Sequence, residues 1–181
     1  ESSYHLKVAI KLANVGVDLF IEKPLSSSLV GTKELLIIIE KNKLITQMGC
    51  QLRFHKCIKE IKQLISSKKL GKIISVRAEC GSFLPDWHPS EDYKKSYASR
   101  KELGGGVILT NIHEIDYLYW FFGEITEVFS IAKNSESLKI SVDDVAVGVL
   151  KFKNSIIGEV HLDYLQKPEN RNCKIIGTKG T

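Results

Sequence analysis

The stretch GGGVILTNIHEIDYLYWFFGE, residues 104–124, decides how this chain is read. Three glycines run straight into an apolar segment with helical character, and Gly123 stands where such a helix stops. Within it His113 and Asp116 are one turn apart, with Tyr117 at i+4, so an imidazole, a carboxylate and a phenol can share one helix face. A helix meant only for packing has no use for that set. A second group lies far upstream. Glu22-Lys23-Pro24 directly follows the apolar run Leu19-Phe20-Ile21, which reads as a short buried strand starting at Asp18. Pro24 donates no amide hydrogen bond and restricts Lys23 to extended geometry. A lysine at the end of a strand and a histidine on a distant helix together suggest a two-part active site.

The chain on either side of these landmarks has two grammars. Residues 4–15 show helical periodicity with Leu6, Ile10 and Ala13 on one face, and Gly16 is placed as a stop. Ser26 to Ser28 are positioned to cap a helix over 28–42 carrying Leu29, Leu35, Leu36 and Ile39, and strand 44–52 follows. Helix alternating with strand predicts a parallel sheet. After residue 53 the pattern changes. Helix 55–69 is amphipathic, and residues 72–83 alternate, with Ile74, Val76, Ala78 and Cys80 on one side and Arg77 and Glu79 on the other. A long loop, 84–103, leads into the glycines. Strands at 125–133, 143–153 and 156–165 close the chain, a turn at Lys153-Asn154-Ser155 joins the last two, and CKIIGTKGT begins another strand. On strand 156–165, His161 groups with Glu159 and Asp163 on a polar face. The predicted class is α/β plus α+β: a parallel α/β piece over residues 1–53, then a mostly antiparallel open sheet packed on helices over 54–181.

Composition excludes several function classes. The 181 residues are 43% hydrophobic and 26% charged, ordinary for a globular chain. No apolar run approaches the roughly 18 residues of a membrane span. A net charge of +5, with no basic stripe interleaved with aromatics, argues against nucleic acid and fits an acidic small molecule. Cys50, Cys57, Cys80 and Cys173 have no CxxC spacing, so no metal site is expected, and a reducing cytoplasm is the simplest compartment. The chain begins with Glu1 already in helix-like sequence, which predicts a piece of a longer protein.

Four segments carry a family resemblance: SSYHL at 2–6, FIEKP at 20–24, MGCQLRFH at 48–55 and the GGG…HEID helix. Together they resemble the glucose-fructose oxidoreductase / inositol dehydrogenase / MocA family of nicotinamide-dependent oxidoreductases, over essentially the whole chain. The resemblance implies that residues 1–53 are the C-terminal part of a Rossmann domain whose first ~70 residues are missing here, phosphate-cradling turn included. It implies that the chain stops before the family's final strands. Such a piece is expected to bind dinucleotide weakly or not at all and to be inactive alone. NAD or NADP is the implied cofactor of the parent, a hydroxyl carbon of a sugar, nucleotide sugar or polyol the implied substrate, and the open sheet face the implied contact in a homo-oligomer.

Carried over residue by residue, the resemblance makes His113 the acid/base and Lys23 the group that holds the substrate hydroxyl. Hydride leaves a carbinol carbon only as its hydroxyl proton is removed, which requires a base within hydrogen-bond reach and favours a nearby cation. Glu22, Lys23, Pro24, His5 and Arg53 are the candidate cofactor contacts, though for Arg53 at the end of its strand pairing with a carboxylate is the favoured reading. Thr110, Asn111, Asp116, Trp87, His88, Tyr93, Lys95 and Arg100 are the candidate substrate contacts, Asp116 alternatively orienting His113. The loop's aromatics and cations suit a sugar ring or a phosphorylated or carboxylated substrate. One departure stands out. Many relatives carry an Asp four residues before the histidine, where this chain has Leu109. That keeps two other readings open: a non-catalytic dinucleotide sensor, and a lyase or hydrolase that retains its nicotinamide.

Overall fold

Helix and strand alternate through the first fifty residues. In a computed structural model describing residues 1–181, α1 (Ser2–Asn14), β1 (Leu19–Ile21), α2 (Thr32–Asn42) and β2 (Thr46–Met48) follow one another. The two strands pair in parallel, Leu19 opposite Thr46 and Ile21 opposite Met48. Parallel strands need a crossover, and α2 supplies it. Leu6, Ala9 and Ala13 recur at helical spacing on α1 and bury against Leu19, Ile21 and Leu35.

Both strands are shorter than their sequence pattern predicts. After Met48 the amide of Gly49 donates to Ile21 O at 2.7 Å, and Gln51–Phe54 coil into a 3-10 turn instead of extending the strand. The second helix starts at Thr32, not at residue 28. Ser26 and Ser28 hydroxyls accept the amides of Ser28 and Val30, forming local turns, while Gly31 in a left-handed conformation (φ 88°) takes the N-cap position. Leu29 consequently lies outside the helix, exposed.

The second layer is built on a five-stranded sheet. α3 (Lys56–Ser66) leads to β3 (Ile73–Gly81), then α4 (Val107–Thr110), α5 (His113–Phe122), β4 (Ile125–Lys133), β5 (Val145–Phe152), β6 (Ile157–Asp163) and β7 (Asn170–Gly177). The strand order is β4-β5-β6-β3-β7. Only β3 and β6 run parallel; the other neighbours are antiparallel. Period-two alternation decides which side is inside. Val76, Ala78, Cys80, Ala146, Leu150, Phe152, Val160 and Leu162 point to the core, and Arg77, Glu79, Val147 and Val149 point away. α5 covers the inner face with Tyr117, Leu118, Phe121 and Phe122, and Phe122 meets Phe152 edge-on at 5.4 Å. Each fully buried large side chain here contributes roughly 1.5–3 kcal/mol of transfer free energy.

Three local expectations are corrected. The helix following the glycines is not continuous to Phe122: it breaks at Asn111 and Ile112 between α4 and α5. Asp163 is buried, not on the polar face, because its Oδ1 accepts the amides of Leu165 and Gln166 and closes the turn that ends β6. The loop 84–103 is organised as four 3-10 turns, and the Tyr93 hydroxyl pins it by donating to Leu138 O at 3.0 Å. No helix is long and apolar enough to cross a membrane.

Gly105 makes this junction possible. A Cβ there would overlap the carbonyl oxygens of Tyr97 and Ala98, so only glycine lets the loop backbone lie against the start of α4. Gly105→Ala is expected to lower the unfolding free energy by about 1–3 kcal/mol in denaturant titration, the usual range for overpacking. Gly148→Ala, where a Cβ meets only ordinary contacts at 3.4 Å and beyond, serves as the comparison and should change stability far less. Equal effects of the two would contradict the close approach.

Candidate active site

Lys23 sits just beyond the end of β1, where the two parallel strands point their C-terminal ends. Its amide donates to Glu22 Oε2 at 3.0 Å, and the Lys23–Pro24 peptide bond is cis. Gly49 on the neighbouring segment leaves room for the Glu22 carboxylate; a Cβ there would stand 2.6 Å from Oε1. The Lys23 side chain crosses to the second layer. At the break between α4 and α5 its Nζ donates to the Thr110 carbonyl at 2.8 Å. Burial lowers the Lys23 pKa from its ordinary value, opposed chiefly by Glu22.

His113 opens α5 just past that break and is 4% exposed. Neither ring nitrogen has a hydrogen-bond partner, and Thr110 Oγ1 and Asn111 Nδ2 are likewise buried and unpartnered. Buried polar atoms without partners are rare enough to need a reason. Here the reason is spatial: Thr110, Asn111 and His113 line one cavity of about 460 Å³, and Lys23, Trp87 and Arg171 line it too. The lysine and the histidine that the sequence singled out therefore share a cleft. Burial, then the positive charges of Lys23 and Arg171, push the His113 pKa down to about 4, against a smaller opposing pull from Asp116. The imidazole is neutral at physiological pH, with a free lone pair on one ring nitrogen.

The remaining candidates divide. Trp87, Thr110 and Asn111 line the cavity. His5, Glu22 and Pro24 line a smaller cavity of about 180 Å³ that shares Lys23, Tyr97 and Thr110 with the first; His5 Nδ1 lies 2.8 Å from the Pro24 carbonyl oxygen. Asp116 and Arg53 line neither cavity. Their charges are committed to each other, Arg53 Nε and Nη2 donating to the two Asp116 oxygens at 2.9 and 2.6 Å. That bidentate pair clamps the 3-10 turn after β2 to α5 and leaves no hydrogen bond from Asp116 to His113. Four loop residues also lie outside the cleft. His88 lines a neighbouring cavity with Asp86 and Lys167, Tyr93 is held by Leu138, Lys95 is exposed, and Arg100 pairs with Glu102. Two charged residues were not anticipated. Glu114 is fully buried, and Arg171 on β7 lines the cavity with its Nε 2.8 Å from Glu114 Oε1.

Comparison with known proteins agrees with this architecture. Residues 58–181 match the model of the GFO/IDH/MocA C-terminal domain. The chain belongs to the GFO/IDH/MocA family. It is 27% identical over 98% of its length to trans-1,2-dihydrobenzene-1,2-diol dehydrogenase of Danio rerio, covering 51% of that protein. It is 28% identical over 99% of its length to the NAD(+)-dependent scyllo-inositol 2-dehydrogenase of Bacillus subtilis, covering 52%. Among solved structures, the WlbA dehydrogenase from Bordetella pertussis, in complex with NADH and UDP-GlcNAcA, superposes with a TM-score of 0.86 at 20% identity, over 98% of this chain and 51% of that one. The chain thus spans about half the length of the relatives it matches.

The family member's His113 offers a direct check of the cleft. Its pKa is depressed in the fold, so between about pH 4 and 6.5 the unfolded chain binds the extra proton. Its contribution to stability is therefore present above the unfolded value and lost as pH falls toward 4. An NMR titration of the imidazole is expected to give a midpoint near pH 4, and Lys23→Met should raise it by removing a neighbouring positive charge. A midpoint near 6.5 in the native protein, unmoved by Lys23→Met, would show that the ring is solvated and the two groups are apart.

Proposed function

We propose that this chain carries the substrate side of an oxidoreductase moving a hydride between NAD or NADP and a hydroxyl-bearing carbon of a sugar, nucleotide sugar or polyol. The observation that carries the reading is His113: a buried, neutral imidazole with two unpartnered nitrogens, in the same cavity as a desolvated lysine. Relatives named as scyllo-inositol and dihydrodiol dehydrogenases support it, and so does a structural neighbour solved with NADH and a nucleotide sugar. In this reading residues 1–53 end a dinucleotide-binding domain and residues 54–181 form the substrate domain.

The residues fit a nicotinamide. The smaller cavity lies beyond the C-terminal end of the parallel strand β1, where ligands of α/β sheets bind, and Lys23, Tyr97 and Thr110 form the wall it shares with the larger one. His5, Glu22, Lys23 and Pro24 would hold the ring end of the cofactor there. When bound, the cofactor supplies a carbon that accepts or returns the hydride.

The chain's own groups do the rest. A substrate hydroxyl enters the larger cavity and takes Lys23 Nζ and a ring nitrogen of His113 as partners. His113 accepts the hydroxyl proton as the carbon gives up its hydrogen as hydride, and the C–O bond becomes a carbonyl. The Lys23 ammonium stabilises negative charge growing on that oxygen. Thr110 Oγ1 and Asn111 Nδ2, now without partners, hold neighbouring hydroxyls. Leu109, where the family resemblance led to an expected Asp, lines the smaller cavity, so no carboxylate from that position assists the imidazole. A purely sensing protein has no need of a desolvated, unpartnered histidine, which favours the catalytic reading over the sensor.

The open sheet face would pair two copies. Phe129, Ile131, Val147 and Val149 form an exposed apolar half, while Arg77, Glu159 and His161 form a polar half. Sedimentation of the intact protein is expected to give a dimer, weakened by Phe129→Glu; a monomer at high concentration would contradict this.

Lys23→Ala and His113→Ala, made separately in the intact protein, should each remove nicotinamide-linked turnover of sugars and polyols, by 10²-fold or more for a lost acid/base. Circular dichroism should stay unchanged. Turnover surviving both substitutions would remove the assigned roles.

A further inference from the structure

Arg171 and Glu114 make an arrangement that the chemistry above does not use. Glu114 is the second residue of α5, one position after His113, and its side chain is turned inward with no exposed surface. Arg171 reaches it from the edge strand β7, with Nε 2.8 Å from Oε1. The contact is close in distance without hydrogen-bond alignment, so both Glu114 oxygens lack an aligned donor. Arg171 Nη2 donates in addition to Cys80 Sγ at 3.1 Å on the adjacent strand. These two contacts fix one side of the guanidinium. It carries five N–H donors in a planar fork, and the rest have no partner in the chain. The side chain is 46% exposed, and it lines the cavity of Lys23 and His113.

A buried carboxylate is costly unless a cation answers it, so Glu114 holds Arg171 in place from behind. The cavity wall then presents two cations, Lys23 and Arg171, beside a neutral His113. Its one lining carboxylate, Glu169, lies on exposed chain next to β7. A neutral polyol offers a fixed guanidinium fork only single, uncharged hydroxyl acceptors; a carboxylate matches it with two parallel charge-assisted N–H···O bonds.

We propose that Arg171 is a substrate-binding residue that recognises the carboxylate of an acidic sugar, with Glu114 as its positioning residue. This deepens the oxidoreductase reading and rests on it for the orientation: reacting hydroxyl toward Lys23 and His113, carboxylate toward β7. The alternative, that Arg171 does no more than neutralise Glu114, makes a different prediction for ligand choice.

Glucuronate and glucose differ at one carbon and separate the two. Each is titrated calorimetrically onto the intact protein, with and without NADH, alongside nicotinamide-linked turnover. The variants are the double Glu114→Gln/Arg171→Gln, which leaves no buried charge orphaned, and Arg171→Lys, which keeps the charge and loses the fork. Native protein should bind glucuronate about 30-fold more tightly than glucose, the scale of a charge-assisted pair. The double variant should lose that preference while binding glucose within about threefold of native protein, and Arg171→Lys should fall between. Equal affinity for the two sugars in native protein, equal loss of both in the double variant, or binding of neither would overturn the proposal. Selective binding without turnover of either sugar would leave it standing and sink the oxidoreductase reading; turnover of both sugars without selectivity does the reverse.

Discussion

One hydrogen bond joins the two halves of the cleft: Lys23 Nζ to the Thr110 carbonyl at 2.8 Å. Lys23 belongs to the parallel layer and Thr110 to the helical segment on the antiparallel one, so the bond fixes a cation at the seam. It is supported on either side. Ser2 Oγ donates to the Gly104 carbonyl at 2.8 Å, and Arg53 grips Asp116 with two hydrogen bonds. Three polar links between layers hold Lys23 where desolvation weakens its grip on its proton and where its charge acts on His113. Without that convergence the glycine junction, the helix break and the inward-facing histidine would be separate oddities.

The electrostatics of the cleft follow from what surrounds the imidazole. Burial alone disfavours the imidazolium, and two cations in the cavity wall disfavour it further. Asp116, the carboxylate one turn away, pulls in the opposite direction but is occupied by Arg53. A neutral, unpartnered imidazole of this kind leaves both ring nitrogens of His113 open to a partner entering the cavity. The same burial that depresses the His113 pKa keeps Thr110 and Asn111 unsatisfied.

Much of this was legible in the sequence because it is local. Period-two alternation placed the buried residues of β3, β5 and β6 apart from Ile74, which lies at a register shift and is 47% exposed, and Asp163, which is buried; helical spacing placed α1 and α5. The position of Lys23 followed from an apolar run ended by proline. What stayed hidden depends on distant partners. Nothing near Asp116 announces that Arg53, 63 residues earlier, will take its charge, and nothing near Glu114 points to Arg171 on β7. The helix break at Asn111 was missed because VILTNIHEID has unbroken apolar periodicity; tertiary contacts at its ends, with Asp143 O accepting the Val107 amide and Lys23 on Thr110, override it. The loop cations Lys95 and Arg100 were attractive by type and failed by position, since one faces solvent and the other satisfies Glu102.

The account is tested most directly by a crystal structure of the intact protein with reduced nicotinamide cofactor and a bound sugar or polyol. It predicts a single substrate hydroxyl oxygen within about 2.6–3.2 Å of both Lys23 Nζ and a His113 ring nitrogen. A substrate whose hydroxyls reach only one of the two, or that lies in the neighbouring cavity beside His88, would contradict it.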